Sequence, residues 1–135
     1  MEHSHEGTVL LDVGPGLSGE FDASFLERNG HPVLVCRGPA VGPCPLLGGS
    51  GCAKFDAAHG IVFAFDLDRP EHRAILERYR ASANPDVPIQ VVVPPEQVEQ
   101  YREVLAGVEV WSHEPTPADL DGFAALVEAA DRFAE

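Results

Sequence analysis

The sequence is short of positive charge. Nine Lys and Arg stand against 22 Asp and Glu in 135 residues, a formal net charge of −13 at pH 7. Lys54 is the only lysine. An acidic surface repels polyanions, which argues against nucleic-acid binding and against adhesion to anionic membranes. Long apolar runs are also lacking, so no segment can span a bilayer. Met1 to Gly7 is polar and has no cationic-then-apolar signal pattern, so the expected location is the cytoplasm, with residues 1–7 flexible. Cysteines are few. Cys36, Cys44 and Cys52 recur every eight residues, a spacing that matches neither C-x-x-C nor a standard zinc motif.

What is present is an alternation of strand-like and helix-like stretches in a chain long enough for one domain, residues 1–135. Apolar residues make up 44% and charged residues 23%, which places the chain among globular rather than disordered proteins. Thr8 to Val13 is a short apolar, β-branched run. Phe21 to Asn29 reads as a helix with Phe21, Phe25 and Leu26 on one side and Gly30 as its stop. His31 to Cys36 reads as a second strand. From Arg37 to Gly51, eight of fifteen residues are Gly or Pro, so residues 37–58 are expected to be loop where a second helix would stand.

The second half is more regular. Gly60 to Phe65 is a continuous apolar run, as in a strand covered on both faces. Pro70 to Ala83 is a helix with Ile75, Leu76 and Tyr79 inward. Ile89 to Val93 is a fourth strand. Pro95 to Ala106 reads as a helix with Val98, Tyr101 and Leu105 inward, stopped by Gly107. Val108 to Trp111 is the fifth strand. Thr116 then caps a last helix, with Pro117 at its first position, Asp119 at its third, and Leu120, Phe123, Ala124, Val127 and Ala130 on one face. Tyr79, Tyr101 and Trp111 read as core.

Such alternation predicts an α/β fold: a doubly wound, five-stranded parallel sheet of order 2-1-3-4-5, flavodoxin-like. Reactive sites in these sheets lie at the carboxyl ends of the strands. Asp66-Leu67-Asp68-Arg69-Pro70 follows the third strand with D-x-x-x-P spacing. With it, and over nearly its whole length, the chain resembles a response-regulator receiver domain, whose phosphoaccepting Asp and following Pro have that spacing. Asn29 to Val35 resembles the helix-end glycine and second strand, and Trp111 to Val127 the fifth strand, x-Pro turn and last helix.

The resemblance implies Asp66 as the phosphoacceptor equivalent and Asp12 as one acid of a Mg²⁺-holding pocket. It also exposes departures. Val13 stands where a second acid is usual. The hydroxyl position falls on Val93 or Pro94, and the lysine position on Glu114. Phosphoryl transfer to a carboxylate needs cations to neutralise developing charge, so a carboxylate at Glu114 reverses a key electrostatic contribution. The expectation is a stand-alone pseudo-receiver, neither enzyme nor cofactor carrier, that acts through protein contact. The resemblance places a partner or homodimer surface on Val98 to Ala106 and Val108 to Ala130.

Two other readings stay open. Gly14-Pro15-Gly16-Leu17-Ser18-Gly19 satisfies G-x-G-x-x-G between a strand and a helix, and Arg37 stands where an NADP 2′-phosphate could be met. Glu20 and Asp22 in the first helix would repel a pyrophosphate there. Cys44 and Cys52 flank a short Gly-rich segment and could form a redox pair or disulfide, with Arg37 and Lys54 lowering a thiol pKa. His59 could add a metal ligand, whereas His3 and His5 sit on a flexible terminus. Cys36 reads as a small core residue.

Overall fold

The computed structural model describes residues 7–14, 17–38, 44, 48, 52–82 and 87–133. Five parallel strands, β1 (Val9–Val13), β2 (Val33–Cys36), β3 (Gly60–Ala64), β4 (Ile89–Val92) and β5 (Glu109–Trp111), form one sheet. Its order is β2-β1-β3-β4-β5, as the alternation predicts. Between and after them run α1 (Leu17–Arg28), α2 (Ala53–Ala57), α3 (Pro70–Ser82), α4 (Pro95–Gln100) and α5 (Pro117–Phe133).

Strand periodicity divides the core in two. Val9, Leu11 and Val13 of β1 pack with Ala23 and Leu26 of α1 and with Leu120, Phe123, Ala124 and Val127 of α5. Leu10, Ile61 and Phe63 face the other way, onto Ile75, Leu76 and Tyr79 of α3. Every residue of β1 is buried, as expected for a strand covered on both sides.

Four local expectations need correction. First, α1 begins at Leu17 rather than Phe21, and Phe21 is 60% exposed. Its inward residues are Gly19, Ala23 and Leu26, because Gly19 lets the helix lie directly on the Val13 side chain. Second, α4 stops at Gln100, and turns occupy 101–107. Arg80 of α3 donates to the carbonyls of Val104 and Ala106, so tertiary bonds replace a regular helix there. Third, residues 53–57, expected as loop, form the short helix α2. Fourth, Tyr101 is only half-buried, and its hydroxyl donates to Asp68 Oδ1 at 2.6 Å.

The start of α5 forms as its sequence dictates. Asp119 N–H donates to Thr116 Oγ1 at 3.1 Å, and Thr116 N–H donates to Asp119 Oδ2 at 3.0 Å. This reciprocal capping box fixes the loop that leaves β5.

Candidate functional site

The strands end at a cleft of about 830 Å³. Parallel register sets Val13 beside Ala64, and both line it together with Val92 and Val93. Asp22 of α1 and His113 and Glu114 of the β5–α5 loop stand around this apolar floor. Burial raises the pKa of the Asp22 carboxyl, and the charge of Glu114 adds to the rise. His113 is paired with Asp119 at 3.0 Å.

Asp66 is not part of the cleft lining. It follows the end of β3 and is exposed. Its Oδ1 accepts from Gln97 Nε2 at 2.9 Å and from the Asp68 N–H at 3.0 Å, the second being an Asx turn into α3. These two bonds hold its pKa below the ordinary carboxylate value. Its backbone carbonyl is 2.8 Å from His72 Nδ1. The D-x-x-x-P segment is therefore an ordered loop tied to α4, with Arg73 stacked over Tyr101 at 5.1 Å.

Asp12 lies on the opposite sheet face from Val13. It is fully buried and accepts from the Tyr79 hydroxyl at 2.7 Å, while its Oδ1 has no partner. Tyr79 stacks on Phe55 at 4.8 Å and meets Phe63 edge-on. Burial pushes the Asp12 carboxyl up to about 7, with Tyr79 and then Lys54 acting in the other direction. The same burial and the neighbouring carboxylate raise the Tyr79 pKa, so the phenol stays protonated as a donor.

These placements do not fit a Mg²⁺ site of the receiver kind. Asp12 is fully buried beside Tyr79 on one sheet face, Asp66 is exposed beside Gln97 and does not line the cleft, and Val13 and Ala64 offer no oxygen ligand. Among the described residues, no group of three His, Cys, Asp or Glu gathers to hold a metal ion.

Gly14 lines the cleft, Gly19 lies against Val13, and Gly16 falls outside the described residues. Arg37 is held in place: its guanidinium donates to the Gly14 carbonyl at 3.2 Å and to Glu20 at 3.4 Å. Lys54 donates to the Val35 carbonyl at 2.6 Å. Cys36, Cys44 and Cys52 are free, half-buried thiols packed against the α3-side core. Burial, followed by the charge of Asp12, raises the Cys36 pKa. His59 Nδ1 accepts from the Thr8 N–H at 3.2 Å, at the start of β3. His3 and His5 lie outside the described residues.

Sequence reasoning did not single out Gln97 or Ala64. Gln97 lies one residue before the apolar Val98, and burial of a polar side chain leaves no mark in periodicity. Ala64 becomes visible only through the register that sets it beside Val13.

No protein-family model and no curated protein matches the chain. Solved structures do. A response-regulator receiver domain protein from Clostridium thermocellum superposes with TM-score 0.66 at 14% identity, over 95% of this chain and 98% of that one. The chain has the fold of a response-regulator receiver domain. A CheY-like receiver domain protein from Methanospirillum hungatei JF-1 matches with TM-score 0.61 at 16% identity, over 93% and 97%. An adenylate cyclase structure from Rhodopirellula baltica matches with TM-score 0.66 at 12% identity, over 96% and 92%. The receiver fold puts the cleft at the end of the sheet where such domains carry their reactive groups.

Proposed function

We propose that this chain is a pseudo-receiver: a signalling module that works by protein contact, without phosphorylation of Asp66 and without catalysis of its own. The observation that carries this reading is the content of the cleft. Phosphoryl transfer to a carboxylate requires an acceptor facing the pocket, acids for a divalent ion, and a cation for the transferring group. The cleft instead places Val13 beside Ala64, with Glu114 at its rim. A carboxylate at Glu114 has the wrong sign for the cation that such a transfer requires.

The module is expected to act in the cytoplasm. Among the described residues, no helix is long and apolar enough to cross a membrane. The contact surface in this reading is the α4–β5–α5 side, for another protein or a second copy. Leu126 of α5, 56% exposed, supports this assignment as an apolar contact on that side.

The test uses Mg²⁺ with beryllofluoride, a mimic of a carboxyl-bound phosphoryl group, read by amide chemical shifts. The reading predicts no saturable change at Asp66, Asp68 or Gln97. Saturable shifts at these amides, abolished by Asp66→Asn, would overturn it.

A further inference from the structure

The cleft at the strand ends has the opposite character from a phosphate site, and that character defines what it can hold. Its floor is hydrocarbon, made by Val13, Ala64, Val92 and Val93. Its ionisable side chains are Asp22, Glu114 and His113; His113 is held by Asp119 at 3.0 Å, and the charge of Glu114 acts unfavourably on the Asp22 carboxylate. Among the described residues, no Lys or Arg lines it. Arg37, beside Gly14, gives its guanidinium to the Gly14 carbonyl and to Glu20. The α5 N-terminus, which would favour an anion, is already met by Asp119, and Glu20 stands in the first turn of α1. At about 830 Å³ the cleft falls in the range of small-molecule sites. Phe21 lines the mouth and is 60% exposed, an aromatic face open to a cation.

We propose that this cleft binds a small organic cation, an ammonium group carried on a hydrocarbon body. The ammonium lies with Asp22 and Glu114 and relieves their repulsion. The body covers Val13, Ala64 and Val92, and the Phe21 ring faces the charge. A carboxylate or phosphate on the same body is rejected by the two acids. The proposal stands whether or not Asp66 accepts a phosphoryl group, because Asp66 lies outside the cleft.

The probe is 2-phenylethylamine, titrated against the full chain, with 3-phenylpropionate and 2-phenylethanol as anionic and neutral controls. Trp111, the only tryptophan, lies 6.3 Å from the His113 ring at the cleft and reports by fluorescence. Amide shifts at Ala64 and Val92 locate the site. The expected result is saturable binding of the amine at least about ten-fold tighter than of either control. Glu114→Gln, in an exposed loop, and Asp22→Asn should each reduce that preference several-fold, as should added salt. Circular dichroism checks that both variants keep the fold. Equal affinity for amine and alcohol, a preference unchanged in both variants, shifts confined to other regions, or no saturation with the amine would each overturn the proposal.

Discussion

Asp12→Asn should change how stability depends on pH, and by an amount the structure sets. Asp12 is fully buried, accepts one bond from Tyr79, and has its pKa raised from 3.8 to about 7, with burial the largest cause. In the unfolded chain its pKa is that of an ordinary aspartate. Between these values the folded protein holds a proton that the unfolded chain releases. The contribution of the protonated group is therefore fully present below pH 3.8 and is lost as pH rises through about 7. At roughly 1.4 kcal/mol per pH unit, the loss amounts to about 4 kcal/mol. The substituted amide has nearly the shape of the protonated acid, can accept from Tyr79, and does not titrate. The assay is urea unfolding of both proteins from pH 4 to pH 8. Their stability difference should move by about 4 kcal/mol in favour of the variant as pH rises, or about 14 °C in Tm for a domain of this size. Other titrating groups cancel in the difference. A difference constant to within about 1 kcal/mol over that range would refute the assignment of a buried, proton-holding Asp12.

Three further outcomes follow from local geometry. Gly60→Ala would drive a Cβ into Val127 Cγ2 and towards Phe123, and should cost about 1–3 kcal/mol by denaturant unfolding. Thr116→Ala removes the hydroxyl that accepts from the Asp119 N–H and should cost about 1 kcal/mol, again by denaturant unfolding. Gln97→Leu removes the amide that donates to Asp66 Oδ1, so the Asp66 pKa should rise towards its ordinary value in a carboxyl NMR titration.

The fold was legible because its signals are local and agree with one another. Apolar runs marked the five strands, and Gly and Pro marked their boundaries. Thr116, Pro117 and Asp119 announced the start of α5, and their side chains bond there as that pattern requires. Where tertiary contact decides, sequence reasoning fell short. Nothing local announces that Arg80 takes the carbonyls of Val104 and Ala106 and replaces the end of the expected helix. Phe21 looked like a core residue, yet the glycine at 19 turned the small face of α1 inward.

The candidate site was harder to read for a related reason. D-x-x-x-P describes spacing along the chain, whereas an acceptor is defined by where its carboxylate points. Asp66 points to Gln97, thirty-one residues away, and Asp12 points to Tyr79, sixty-seven residues away. Neither orientation can be deduced from neighbouring residues. Glu114 was visible in sequence as a sign change, and the structure sets its carboxylate in the same largely apolar cleft as Asp22.

The central claim is that the receiver fold here does not carry out phosphoryl transfer. The most direct measurement is intact mass after incubation with Mg²⁺ and a small acyl-phosphate donor, alongside Asp66→Asn. The account predicts no added phosphoryl group in either protein. A gain of one phosphoryl mass in the native chain, absent from Asp66→Asn, would contradict it.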